Sequence, residues 1–322
     1  MSKELDALPP ARRAIVRGAI VAAFGSAPIG AVVPLSGGAT GAAPLCVEVG
    51  GRRYLVRAEG EASPLRNPHQ YLSLRIAAEA GIAPRVHYID EQARVAVTDF
   101  IEQRPLRDWP GGPRGLAEAL GQLLRRLQET PVFPHFVDYP VIVGRLFAHV
   151  RRTGLFADGV LDAHVERLER ASAAYDAGVT KLVSSHNDFI PANILFDGAR
   201  LWAIDWESAY RNDPLVDVAT ALDTLARSPE LEDVLLRAWL GRAPDESVRT
   251  RLVLTRALTR LYYAGVFLSA SAAAGMRGDA DLSAIDDGRL VRGTPATKHV
   301  LGKMFLASFL SGALPPGFDL AV

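Results

Sequence analysis

Residues 184–207 read Ser184-Ser185-His186-Asn187-Asp188-Phe189-Ile190-Pro191-Ala192-Asn193-Ile194-Leu195-Phe196-Asp197-Gly198-Ala199-Arg200-Leu201-Trp202-Ala203-Ile204-Asp205-Trp206-Glu207. Two short apolar runs, Ile194–Phe196 and Leu201–Ile204, flank Asp197-Gly198-Ala199-Arg200, the pattern of a β-hairpin closed by a tight Asp-Gly turn. If Phe196 faces Leu201, counting outward sets Asn193 opposite Ile204. Asn193 and Asp205 then emerge side by side at the open end of the hairpin. Pro191 keeps the preceding loop from continuing as helix, which returns Asp188 to the same place.

An amide oxygen and a carboxylate converging on one spot suit a hard cation such as Mg²⁺, which prefers oxygen ligands and leaves positions open for phosphate oxygens and water. Asn193 and Asp205 are therefore the candidate metal ligands. Asp188 is the candidate catalytic group, free to face an acceptor hydroxyl and take its proton. The order His186-Asn187-Asp188, four residues, Asn193, then Asp205 parallels the catalytic loop and metal-binding Asp of protein kinases.

On these residues the segment resembles the aminoglycoside phosphotransferase and choline/ethanolamine kinase superfamily, whose members share an H-x-D-x-x-x-x-N loop followed by an I-D-[WF]-E strand. The resemblance implies an ATP- and Mg²⁺-dependent phosphotransferase acting on a small-molecule hydroxyl acceptor. It also implies an α+β, protein-kinase-like bilobal fold: a small antiparallel-sheet N-lobe over residues 1–101 and a larger, mainly helical C-lobe over 102–322. Within it, Asp217 of Pro214-Leu215-Val216-Asp217-Val218-Ala219 braces the catalytic loop. His186 is expected to pack under that loop, and Glu207, two residues beyond Asp205 on an extended strand, to point the same way toward metal-bound water or substrate. A protein substrate is not expected. The chain from Asp205 to Asp217 is too short for an activation loop, and Asn187 and Trp206-Glu207 replace the Arg and Phe-Gly of protein kinases.

The chain before residue 101 reads as the expected sheet. Strand character appears at 31–35, 44–49 and 53–57, then at 85–89 and 94–98, with Gly50-Gly51 as a turn. Between the first two strands lies Ser36-Gly37-Gly38-Ala39-Thr40-Gly41. Glycine lets backbone N–H groups approach phosphate oxygens closely, and Gly37, Gly38, Thr40 and Gly41 are candidate ATP-phosphate contacts. The resemblance adds Arg57 as the strand-three base that holds the phosphates. It also calls for a Glu on the helix at 68–80, where this chain carries Gln70, able to hydrogen-bond Arg57 but not to neutralise it. Asp99-Phe100-Ile101-Glu102 reads as the connector between lobes, with Asp99 and Ile101 candidates for the adenine.

From Pro113 the pattern is helical. Leu116, Leu120, Leu123, Leu124 and Leu127 recur at three and four residues, and further helices are expected at 139–153, 160–177, from 217, and at 230–240, 246–275 and 296–312. The N-terminal residues 10–24 suit an amphipathic helix.

Composition narrows the partners. The 322 residues carry 36 basic and 36 acidic side chains, with no polybasic block, so neither nucleic acid nor a membrane surface is expected. The single cysteine, Cys46, excludes an intramolecular disulfide and fits a cytoplasmic setting. No stretch has the length and apolarity of a membrane span.

For the acceptor, a choline-like quaternary ammonium calls for aromatic walls, and Trp206, Tyr210, Tyr262, Tyr263 and Phe267 are candidates. An aminoglycoside calls for a cluster of carboxylates, for which Asp213, Asp223 and Glu207 are available. A nucleotide-binding pseudokinase without turnover is the alternative of another class. Gln70 speaks for it, and the intact set of Asp188, Asn193 and Asp205 against it.

Overall fold

The computed structural model describes residues 3–35, 44–59, 67–175, 181–276 and 294–312. The candidate phosphate loop with Gly37, Gly38, Thr40 and Gly41 lies outside these residues. The chain divides into two compact units: residues 1–109 with 193–210, and 110–192 with 211–322. The expected division at 101/102 falls inside the first unit, and the segment from Asn193 to Tyr210 groups with that unit.

In the first unit, α1 (Lys3–Asp6) and α2 (Pro10–Phe24) precede strands β1 (Ile29–Pro34), β2 (Leu45–Val49) and β3 (Arg52–Ala58), helix α3 (Gln70–Glu79), and strands β4 (Val86–Asp90) and β5 (Val95–Asp99). The five strands form one antiparallel sheet in the order β1-β2-β3-β5-β4, so β3, which carries Arg57, is the central strand. Gly50 and Gly51 both have positive φ, as the two-residue turn between Val49 and Arg52 requires. The core follows from strand alternation: Val47, Val49, Tyr54, Val56, Val95 and Val97 meet Val16, Ala19 and Ile20 of α2. Each such fully buried Val or Ile contributes about 2 kcal/mol.

The second unit is built on helices α4 (Gly112–Gln128), α5 (Tyr139–Arg152), α6 (Asp162–Ala174), α7 (Leu215–Thr224), α8 (Pro229–Leu240), α9 (Glu246–Ala273) and α10 (Pro295–Ser311). The leucine stripe of α4 is buried at Leu120, Leu123, Leu124 and Leu127, while Leu116 is half-buried. Helix α8 starts where Ser228 accepts from the Leu231 N–H, and α9 where Asp245 accepts from Val248, the capping expected of these side chains. Among the described residues no helix is long and apolar enough to cross a membrane.

Candidate active site

The hairpin of the first unit has the expected register. After strand β6 (Val183–Ser185), strands β7 (Ile194–Phe196) and β8 (Leu201–Ala203) pair Phe196 with Leu201 and Ile194 with Ala203. The Ile204 N–H donates to the Asn193 carbonyl at 2.9 Å, so Asn193 stands opposite Ile204 and Asp205 follows directly. Asp197 locks the turn: its Oδ1 accepts from the Ala199 and Arg200 N–H groups at 2.8 Å, and its Oδ2 from Trp202 Nε1 at 2.7 Å. Partial burial works to raise the Asp197 pKa, but the Trp202 indole and the two backbone donors outweigh it and hold the carboxyl below its usual range. Gly198 turns the chain at φ 100°, where a Cβ would also strike the Arg104 guanidinium.

The extended continuation expected beyond Asp205 does not form. Asp205 adopts a left-handed conformation with φ 66° and ψ 64°, and Trp206–Ser208 make a 3₁₀ turn before β9 (Tyr210–Asn212). An Asp tolerates that backbone because its short polar side chain finds local partners. The tight turn, rather than strand alternation, brings Asp205 and Glu207 to the same guanidinium. Arg57 Nη1 donates to Asp205 Oδ1 at 2.6 Å and Nη2 to Glu207 Oε2 at 2.9 Å. Burial disfavours the Arg57 charge, and Asp205, Glu207 and Glu59 more than offset it, so its pKa lies above the ordinary arginine value.

Gln70, the first residue of α3, does not reach Arg57 in the way its position suggested. Its Nε2 donates to Glu59 Oε2 at 2.8 Å, while Glu59 Oε1 lies 4.0 Å from Arg57 Nε. Sequence reasoning passed over Glu59. It stands two residues beyond Arg57, and the alternation of an extended chain was the signal that put both on one side. Glu79 is exposed at the end of α3. Asp99 closes β5, with its backbone N–H on the Arg85 carbonyl and its carboxylate 2.7 Å from His87 Nε2. Ile101 follows, half-buried.

In the second unit, the fully buried Asp217 accepts from three donors of the loop. Oδ2 takes the Ser185 hydroxyl at 2.8 Å and the His186 N–H at 2.7 Å, and Oδ1 takes the Asn187 N–H at 2.8 Å. Complete burial raises the Asp217 pKa, and His186 and these donors work against that rise. Asn187 sits at φ 60°, its Oδ1 accepting from Asn212 Nδ2 at 2.7 Å. His186 is buried, with its ring edge-on to Phe189. Asp188 Oδ1 accepts from the Tyr263 hydroxyl at 3.0 Å.

Tyr263 belongs to an aromatic group with Tyr262, Phe267 and Phe305, whose ring centroids lie 5.4, 6.4 and 5.5 Å from its own. Tyr139 joins it through Tyr262. Tyr262 and Phe267 are only partly buried. Trp206, by contrast, is buried in the first unit, its indole donating to the Ala203 carbonyl, and Tyr210 is buried as well. The three spare carboxylates are all paired with arginines. Asp213 meets Arg251 at 2.5 Å, Asp223 meets Arg256 and Arg260 at 2.7 Å each, and Glu207 meets Arg57.

As donors, the Asn193 amide and the Asp205 carboxylate fit Mg²⁺, placed at neighbouring strand ends by the register. Among the described residues no group of three or more His, Cys, Asp or Glu side chains could hold a metal.

Over 57 residues the chain is 44% identical to protein LicA of Haemophilus influenzae, a match spanning 18% of this chain and 21% of that relative. A choline/ethanolamine kinase family protein from Mesorhizobium loti superposes with a TM-score of 0.66 at 22% identity, covering 90% of both chains. The choline kinase LicA of Streptococcus pneumoniae superposes with a TM-score of 0.66 at 15% identity, covering 92% of this chain and 99% of that one. The fold is that of these kinases. The sequence model of the phosphotransferase enzyme family (APH) matches residues 31–251, from β1 through the loop after β6 into α9. The chain belongs to that family.

Proposed function

We infer that this kinase moves the γ-phosphate of ATP to the hydroxyl of a small cationic amino alcohol of the choline/ethanolamine class. The observation that carries the substrate reading is the hydrogen bond between Tyr263 and Asp188, made from within an aromatic group. An ammonium ion over an aromatic face gains about 0.5–2 kcal/mol, so Tyr262 and Phe267 suit the cationic end of an acceptor whose hydroxyl meets Asp188. An aminoglycoside presents several ammonium groups and calls for several available carboxylates. Asp213, Asp223 and Glu207 each already have an arginine partner, which weighs against that acceptor.

In this reading Asp188 orients the acceptor hydroxyl and accepts its proton. Asp217 holds the backbone of the loop in place through the Ser185, His186 and Asn187 donors. Asn193 and Asp205 hold Mg²⁺, which when bound neutralises charge on the phosphates. Arg57 binds phosphate oxygens, exchanging its contact with Asp205 for them. Gly37, Gly38, Thr40 and Gly41 are proposed to contact the phosphates, Asp99 and Ile101 the adenine, with the functional division of the chain at 101/102. The neutral charge balance and the lone buried Cys46 accord with a cytoplasmic enzyme of small molecules.

The test is release of ADP from Mg·ATP in the presence of choline, ethanolamine, an aminoglycoside or a neutral sugar. Turnover with the amino alcohols is expected. Turnover with the aminoglycoside or the sugar alone overturns the substrate reading. Tight Mg·ATP binding with no turnover on any acceptor points to a nucleotide-binding module instead.

A further inference from the structure

Arg57 sits on the central strand with three carboxylates around it, and they are not equivalent. Under the proposed function Asp205 is a metal ligand, and Glu207 lies on the same 3₁₀ turn. Glu59 is different. Its side chain is 4% exposed, and a buried carboxylate is costly unless it is paired and hydrogen-bonded. Arg57 Nε lies 4.0 Å from one of its oxygens, and Gln70 Nε2 donates to the other at 2.8 Å. Gln70 is itself buried at the start of α3.

We propose that Glu59 is the positioning residue for Arg57, and that Gln70 holds Glu59 in place. The neutral amide at position 70 then follows from the chemistry of the cluster. With the acidic charge already on β3's continuation at Glu59, the helix must present a donor, and a second carboxylate there would stand against the first within hydrogen-bonding distance. The link between α3 and the phosphate-binding base is thus a relay of three side chains, Gln70 to Glu59 to Arg57. It gives Arg57 a carboxylate neighbour tied to α3, beside Glu207 on Nη2 at 2.9 Å and apart from the proposed metal ligand Asp205. The Gln70→Glu substitution, which supplies the residue the resemblance calls for, becomes disruptive.

This inference rests on the nucleotide-binding reading of Arg57, and the experiment separates the two. Mg·ATP affinity is measured by calorimetry on the full chain for wild type, Glu59→Gln, Gln70→Glu and the double exchange Glu59→Gln/Gln70→Glu, with thermal melts and steady-state kinetics alongside. Each single variant should bind Mg·ATP about tenfold more weakly, with the loss in the KM for ATP rather than in kcat. Gln70→Glu should also melt earlier. The double exchange returns one donor and one carboxylate to the hydrogen bond between positions 59 and 70 but leaves an amide beside Arg57, so it should regain the melting temperature lost in Gln70→Glu while binding Mg·ATP no better than Glu59→Gln. Wild-type binding in either single variant, or a double exchange that melts no later than Gln70→Glu, overturns the relay. Wild type failing to bind Mg·ATP at all overturns the function and the relay with it.

Discussion

The hydroxyl of Tyr263, on α9, donates to Oδ1 of Asp188, in the loop after β6, at 3.0 Å. Burial, and then the charge of Asp188, raise the Tyr263 pKa well above the ordinary phenol value, so this group stays a donor throughout the working pH range. It helps to fix the rotation of the carboxylate that, in the proposed function, meets the acceptor.

Tyr263→Phe removes the donor and keeps the ring. A hydrogen bond to a charged group is worth about 1.5–3 kcal/mol, so kcat should fall roughly tenfold or more while the KM for ATP holds. Steady-state kinetics with an accepted amino alcohol check this. Unchanged kcat would mean that the contact is incidental to turnover.

Asp217→Asn puts an amide where three donors converge. One side of the amide cannot accept, so at least one of the Ser185, His186 and Asn187 donors loses its partner in a fully buried place. The cost should be about 1–3 kcal/mol of stability, read by urea unfolding, together with a loss of turnover. A variant of wild-type stability and rate would show that the loop holds its shape without this carboxylate.

Asp205→Ala should bind Mg·ATP far more weakly than wild type by calorimetry, because it removes the hairpin's carboxylate donor. It also leaves Arg57 with Glu207 and Glu59 as acidic neighbours. A folded variant with wild-type affinity would remove Asp205 from the metal site.

Asp197 sets a pH dependence. Its folded pKa is depressed below the ordinary carboxylate value, so the stability it contributes is present above the unfolded pKa, near 4, and is lost as pH falls through the folded value. The melting-temperature gap between wild type and Asp197→Ala should therefore be widest at neutral pH and narrow as the pH is taken down toward 3. A gap constant over that range would assign the effect to the turn's backbone alone.

The hairpin could be read in advance because an Asp-Gly turn between apolar runs admits few registers, and the pairing of Phe196 with Leu201 carries Asn193 and Asp205 with it. The five strands and the main helices were equally legible, since strand alternation and the leucine spacing of α4 report burial directly. Reading ended where tertiary contact overrides local pattern. Asp205 enters a left-handed turn that no extended-strand argument provides for. Gln70 was matched to the nearest base in the motif, whereas in the structure it serves Glu59. Tyr263 was legible as an aromatic on a helix. That its hydroxyl meets Asp188 depends on packing between segments 75 residues apart in the chain.

The central claim is that Asp188 receives the acceptor's proton, and one substitution tests it most directly. Asp188→Asn keeps the size of the side chain and its ability to accept from Tyr263, but not the capacity to take a proton. Mg·ATP affinity should be retained by calorimetry, and kcat with an accepted amino alcohol should fall by at least about a hundredfold, the lower range for loss of a general base. Turnover of Asp188→Asn at the wild-type rate would contradict the account.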